Sequence, residues 1–193
     1  VRGIEQIPFL YDAGLTLLEA TGLAGWRRWL ASGASGRVLD LGCGTGRNLP
    51  LLDGRARPVG LDPCIETLQA ARRRAPGTPL VLGVAERLPF REASFDTVVS
   101  GLVFCSVTEP ARSFAEVRRV LAPGGTLRML EHVRAKGRLH ASLQDAFQPL
   151  WTRFTGGCRP NRDTESAVRE AAFRIDEESR RASGTMRRFV AHL

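Results

Sequence analysis

Val38-Leu-Asp-Leu-Gly-Cys-Gly-Thr-Gly46 is the stretch on which the reading of this chain turns. Its first four residues form a short aliphatic run with the composition of a buried strand, and three glycines follow at alternate positions. Glycine at such a turn lets the backbone take positive φ and approach a ligand closely, while the segment after it presents N–H groups that have no partner of their own. A glycine turn after a strand is common to several nucleotide-binding folds, but two details narrow the choice. The spacing is Gly-x-Gly-x-Gly rather than the Gly-x-Gly-x-x-Gly of dinucleotide enzymes, and Asp40 stands two positions before Gly42. A carboxylate there suits a cationic amino group and would repel a pyrophosphate. Asp62 closes the next apolar run, 22 positions after Asp40, the distance at which a βαβ unit sets a carboxylate over a ribose. The same residue would also cap a helix starting near Cys64.

Downstream of the turn, strand and helix patterns alternate. Strands are expected over 37–41, 58–61, 79–84, 95–100 and 126–131, and helices over 46–52, 65–75 and 110–121. This is the rhythm of an α/β fold with a mostly parallel sheet. Upstream, Ile7, Leu10, Leu15 and Leu18 recur at helical spacing within 5–21, and a second helical run over 23–30 precedes a Ser/Gly linker. These two helices are expected to form a lid. Beyond 133 a helix over 139–154, a second one opening at Asp163 and running to 173, and strands over 174–179 and 187–192 complete the chain. The expected organisation is one domain without internal repeats: N-terminal helices (1–36), a cofactor-binding core (37–133) and acceptor-side elements (134–193).

With 193 residues, 43% hydrophobic and 25% charged, the composition is that of a soluble globular domain and excludes collagen-like, low-complexity and disordered chains. Lys+Arg number 28 against 20 Asp+Glu, a formal charge of +8, and Lys136 is the only lysine. Pairs and runs such as Arg72-Arg73-Arg74, Arg118-Arg119, Arg180-Arg181 and Arg187-Arg188 read as solvated faces, so no specific nucleic-acid partner is expected. Trp26-Arg-Arg-Trp29 would suit either a membrane surface or the inner face of the lid. Cys43, Cys64, Cys105 and Cys158 lie far apart without a Cys-x-x-Cys pair, so neither a disulfide framework nor a metal site is expected, and the compartment is read as cytoplasmic. The longest apolar stretch, 98–107, is too short to span a bilayer, and no charged-then-apolar segment opens the chain. The first residue is Val rather than Met, as in a chain lacking its natural start.

Taken in order, the glycine stretch, Gly60-Leu-Asp62, Ala85-Glu86-Arg-Leu-Pro-Phe90, Ser94-Phe-Asp-Thr-Val-Val99 and Glu116-Val-Arg-Arg-Val-Leu-Ala-Pro-Gly-Gly125 resemble the class I S-adenosylmethionine-dependent methyltransferases, in particular the ubiquinone/menaquinone methyltransferase-like group. The resemblance implies a Rossmann-like fold with a seven-stranded, mostly parallel sheet and S-adenosylmethionine as cofactor. By motif position, Asp40, Gly42, Gly44 and Gly46 would face its methionine moiety, Asp62 its ribose, and Pro63, Cys64, Ala85 and Glu86 its adenine, with Cys43, Asn48, Ser100 and Leu102 also among the cofactor-binding residues. Many relatives carry Asp where this chain has Val84, so Glu86 would have to replace that contact.

Leu102-Val-Phe-Cys-Ser-Val107, Glu131-His-Val133 and Gln148-Pro-Leu-Trp151, with Gly157-Cys158 and Arg162, further resemble the methyltransferase-like seven family, whose animal members are membrane-associated alkyl thiol methyltransferases. That implies a small, lipophilic acceptor, with a thiol as first choice and peripheral membrane contact at most. Tyr11, Cys105, Ser106, Glu131, Trp151, Cys158 and Arg162 would line the acceptor pocket, and His132 would be the base or else a hydrogen-bonded structural histidine. A thiol with pKa near ~8.5 is partly ionised at neutral pH and has no absolute need of one. The alternatives are a C-, O- or N-methyltransferase of a quinone-like or phospholipid substrate and a non-catalytic cofactor-binding partner protein. A dinucleotide oxidoreductase is disfavoured by Asp40 and the glycine spacing.

Overall fold

The computed structural model describes Gly3, residues 7–18 and residues 22–193, with positions 10, 11, 15, 17 and 18 given by their backbone alone. Strands β1 (Gly36–Leu41), β2 (Ala56–Asp62), β3 (Leu80–Leu82), β4 (Phe95–Gly101), β5 (Leu121–His132), β6 (Arg174–Ser183) and β7 (Met186–His192) form one sheet in the order β3-β2-β1-β4-β5-β7-β6. The pairings from β3 to β5 are parallel, and β7 runs antiparallel between β5 and β6. This is the Rossmann-like arrangement of class I methyltransferases. The order reverses beside β1, so the carboxyl ends of β1 and β4 part there and leave a crevice, the place where open α/β sheets bind ligands.

The central strands are aliphatic because both faces of the sheet are covered. Leu39 and Leu41 face one core with Phe104, Phe114 and Phe189, while Val38 and Val99 face a second with Leu30 and Leu130. Helices α1 (Pro8–Leu18), α2 (Ala24–Ser32), α3 (Ile65–Arg74), α4 (Pro110–Val120), α5 (Arg138–Thr155) and α6 (Thr164–Glu170) flank it. On α4, Ser113, Phe114, Val117 and Val120 are the inward row, and Phe114 stacks on Phe104 with ring centroids 4.0 Å apart.

Several local expectations are corrected. The helix expected over 46–52 is a single 3₁₀ turn, Leu49–Leu51, because Gly46 sits at φ +79° and Pro50 lacks a backbone donor. The fifth strand does not begin after Pro123-Gly124-Gly125 but at Leu121. Those residues bulge out, so that Phe95 pairs with Leu121 while Thr97 pairs with Thr126. Asp163 caps α6 through Ser166 N–H as its sequence implies, but the helix ends at Glu170, shortly before Ala172 at φ +59°.

In the arginine runs Arg72, Arg73, Arg74, Arg118 and Arg181 are exposed, as expected of solvated faces, but several of the arginines also brace the fold. Arg187 is buried and donates to the Gly184 and Met186 carbonyls, Arg118 to those of Ala171 and Ala172, and Arg119 to those of Leu88 and Phe90. Arg188 lies over both Trp26 and Trp29, and Arg128 over Trp29. The indole faces expected at a lid surface or membrane are therefore occupied within the protein by cation–π contacts.

Candidate active site

A cleft of about 330 Å³ opens over the carboxyl ends of β1, β2 and β4, within the range of small-molecule sites. Gly42, Gly44, Asp62, Pro63, Cys64, Ala85, Glu86, Leu102 and Ser106, all expected there, line it together with Val84 and Val103. Gly42 (φ +63°) and Gly44 (φ +54°) need glycine's conformational freedom. At Gly42 a Cβ would also come within 2.5 Å of the Val103 side chain, so only glycine lets the loop after β4 close on the turn. Leu102 begins that loop at φ +63°, a strained conformation for a residue with a side chain.

Beneath the turn Asp40 is fully buried. Its Oδ1 accepts from Asn48 Nδ2 (2.8 Å), whose own Oδ1 accepts from Arg27 of α2 (2.8 Å), while Asp40 Oδ2 is buried with no hydrogen-bond partner among the described residues. Burial pushes the Asp40 carboxyl up to about 7, further raised by Asp62 and opposed by Asn48 and the Arg27 charge. A group in that state holds room for one more donor, and a cationic one would restore its ionised form.

Asp62 fastens the start of α3 and lines the cleft. Oδ1 accepts from Cys64 N–H (3.0 Å) and the Thr67 hydroxyl (2.7 Å), and Oδ2 from Gly44 N–H (2.9 Å), so the carboxylate joins the glycine turn to the start of α3 while facing the cleft. Of about four lone-pair sites three are taken. Glu86 accepts from Thr108 and Glu109 N–H through Oε1, which ties it to the loop before α4 and weakens its expected role as the replacement for an adenine-binding Asp.

Cys43, Gly46, Asn48 and Ser100, expected on the cofactor side, do not line the cleft. The Cys43 side chain is not at the cleft but buried beside Gly60, and burial together with Asp40 and Asp62 pushes its thiol well up, making it inert. Ser100 is fully buried and donates to Glu131 (3.1 Å).

Sequence reasoning did not single out the fastening of α1. Asp12 accepts from the Thr45 hydroxyl (2.7 Å), Arg47 (3.0 Å) and Arg74 (2.6 Å), which ties α1 to the glycine turn and α3. Burial raises the Asp12 carboxyl, but these donors, Arg74 first, hold it below its ordinary value. The side chain of Tyr11, expected in the pocket, lies outside the described residues.

Beside the cleft, Cys105, His132 and Cys158 converge, their donor atoms all within 4.8 Å of one another. Cys105 lies in the loop after β4, His132 ends β5 and Cys158 follows α5, and both cysteines are buried. The neighbouring Cys105 first, then His132, lower the Cys158 thiol's pKa well below the usual range against the opposing effect of burial. Glu131, expected to line the pocket, instead lies beneath the loop after β4. Its Oε1 accepts from Val103 N–H (2.9 Å), Phe104 N–H (3.1 Å) and Ser100, and burial pushes its carboxyl up to about 7. Arg162 donates to the Phe104 carbonyl (2.6 Å) and lies in the electrostatic field of both cysteines.

Comparison with known proteins agrees with this arrangement. A methyltransferase domain family matches residues 39–129. The chain is 36% identical over 152 residues to the thiol S-methyltransferase TMT1B of Homo sapiens, covering 74% of this chain and 62% of that protein. It is 34% identical over 126 residues to the demethylmenaquinone methyltransferase of Renibacterium salmoninarum, covering 63% and 53% respectively. The chain thus spans less than two thirds of the length of these relatives. The solved structure of an S-adenosylmethionine-dependent methyltransferase from Mesorhizobium loti has a TM-score of 0.64 at 20% identity, covering 88% of this chain and 96% of that one. With the strand order, the glycine turn and the carboxylate beneath it, residues 39–129 form a methyltransferase domain within the fold of the class I S-adenosylmethionine-dependent methyltransferases. Within that class its sequence is similar to the thiol S-methyltransferases TMT1A and TMT1B.

Proposed function

We propose that this chain transfers a methyl group from S-adenosylmethionine to a small lipophilic thiol. The observation that carries the cofactor half is the buried Asp40 Oδ2, without a partner among the described residues, directly beneath a glycine turn that a Cβ would obstruct. Asp40 would receive the amino group of the methionine moiety, Asp62 the ribose through its remaining lone-pair site, and Val84 with Ala85 the adenine face. The cofactor supplies an electrophilic sulfonium methyl. The protein's contribution is to hold the acceptor in line in a pocket shielded from water, where a step that neutralises charge is favoured. Similarity to TMT1B supports a thiol, and His132 beside the cleft is the group able to take its proton. Fastened by Asp12, α1 acts as the lid over the turn.

A screen of labelled methyl transfer to alkyl thiols, quinones, amines and phospholipids tests this reading. Thiols should be the preferred acceptors. Transfer to a quinone carbon alone would favour the second reading, which the similarity to demethylmenaquinone methyltransferase supports.

We also propose a cytoplasmic location with peripheral membrane contact. On α5, Leu139, Leu143, Phe147, Leu150 and Phe154 are exposed and recur at helical spacing along one face. None of the described helices is long and apolar enough to cross a membrane. Co-sedimentation with anionic vesicles should fall when Leu143 and Phe147 are both changed to Asp, while the thermal transition stays in place. Absence of vesicle binding by the unaltered chain at low salt would end the proposal.

A further inference from the structure

Cys105, His132 and Cys158 come from three stretches separated by more than twenty residues each, yet their sulfur and nitrogen atoms meet within 4.8 Å. Around one tetrahedral zinc, with metal–sulfur bonds near ~2.3 Å, two thiolates stand roughly 3.8 Å apart, so small side-chain adjustments would close the set. The supports are already in place. Arg159 N–H donates to the Cys105 carbonyl (2.7 Å), binding the Cys158 loop to the Cys105 loop. Thr152 donates to the Cys158 carbonyl (2.8 Å) and Thr155 accepts from Cys158 N–H (3.2 Å), anchoring Cys158 to the end of α5. Glu131 clamps the start of the Cys105 loop from the position next to His132, and Arg162 holds it through Phe104. A donor set held in this way from three elements is what distinguishes a built site from a chance meeting of side chains.

We propose that Cys105, His132 and Cys158 bind a soft divalent cation of the zinc class, with its fourth coordination position open to a thiol ligand. Two thiolates and a neutral imidazole balance the charge of a divalent ion, so Arg162 faces a neutral centre. Cys₂His with one open position is the ligand set of catalytic rather than structural zinc. The thiol ligand half rests on the proposed thiol acceptor. A thiol entering the fourth position forms a metal–sulfur bond and gives its proton to solvent, so in the metal-loaded chain the ion lowers the thiol's pKa in place of His132 acting as a base, and no oxidation is involved. Ser106, next to Cys105, lines the cleft, which places the metal against the proposed cofactor site.

Cobalt(II) titration of the full chain under a non-thiol reductant tests this without any turnover. The expected result is one saturable site with a thiolate-to-cobalt charge-transfer band and the intense visible bands of tetrahedral geometry, shifting when an alkanethiol is added. Cys158→Ser and His132→Gln should each weaken cobalt binding ~100-fold or more, while His140→Gln on exposed α5 should leave it unchanged. Binding of S-adenosylhomocysteine and the thermal transition report whether each variant folds. Should both variants fail to fold, X-ray absorption of the unaltered zinc-loaded chain must show two sulfur ligands and one imidazole. No saturable cobalt site, or only weak octahedral bands, overturns the metal site. No shift with alkanethiol overturns the open position. Retained S-adenosylhomocysteine binding with no cobalt site would leave the methyltransferase reading intact, whereas the reverse pattern would remove that reading and keep the metal.

Discussion

Titrating the chain with S-adenosylhomocysteine from pH 7.5 down to 5 probes the Asp40 carboxyl directly. Its ligand-free pKa is about 7 against an ordinary 3.8, because it is buried with one oxygen unpartnered. Pairing with the ligand's ammonium requires the ionised form, so affinity follows the ionised fraction in the free protein. That fraction is roughly three quarters at pH 7.5 and about 1% at pH 5, so binding should weaken roughly 70-fold, about 2.5 kcal/mol, and tenfold per unit once well below 7. The window ends near 7.5 because a free α-amino group begins to lose its own proton at about 7.7–8.0. Calorimetry in two buffers of different ionisation enthalpy should show proton release on binding near pH 6, and Asp40→Asn should flatten the profile. Stability runs the other way. A carboxyl whose pKa is raised by folding stabilises fully below its unfolded value near 3.8, and that contribution is lost as pH rises through about 7. The ligand's thermal upshift should therefore grow with pH while the unliganded transition falls. A binding profile flat between pH 7.5 and 5, or one that Asp40→Asn leaves unchanged, would refute the placement of the ammonium at Asp40.

Gly42→Ala should lower stability by about 1–3 kcal/mol and cut S-adenosylhomocysteine affinity, since both the positive φ and the 2.5 Å approach to Val103 oppose a methyl group; denaturant melts and calorimetry would show it. Asp62→Ala should weaken cofactor binding at least tenfold, about 1.4 kcal/mol, and also lower the thermal transition, because it strips Gly44, Cys64 and Thr67 of their shared acceptor. Unchanged affinity in that variant would sink the ribose assignment. Asp12→Ala should release α1 from the glycine turn, read as faster limited proteolysis within residues 7–18 at an unchanged global transition.

The glycine turn, Asp40 and Asp62 were legible because a phosphate- or ribose-binding crossover writes its chemistry in one short stretch of chain. The parallel sheet was legible from the aliphatic runs of β1 and β4, which only a sheet covered on both faces can use. What escaped depended on contacts between distant segments. Arg27 read as part of an amphipathic surface because nothing near it in sequence announces Asn48, and Asp12 carries no local sign of Thr45, Arg47 and Arg74. No metal site was expected from four scattered cysteines, since Cys105, His132 and Cys158 acquire a common spacing only when three loops meet at one end of the sheet. Ser100 and Glu131 misled in another way. Each stands near a strand end where its motif position implied a cofactor or acceptor contact, but the Ser100 hydroxyl and Glu131 Oε1 bond to each other and Oε1 also to the loop between them.

The sheet's order also sets a timetable for synthesis. β7, the last of the seven strands in the chain, lies between β5 and β6 and bonds to both. While the chain emerges from the ribosome, the five parallel strands can assemble with β5 as an open edge, and β6 has nothing to pair with until the residues after it arrive. His132 sits at the end of that exposed strand, in register with Met186. The acceptor side of the site is thus finished only when the C-terminal hairpin closes onto β5, well after the cofactor turn has been made.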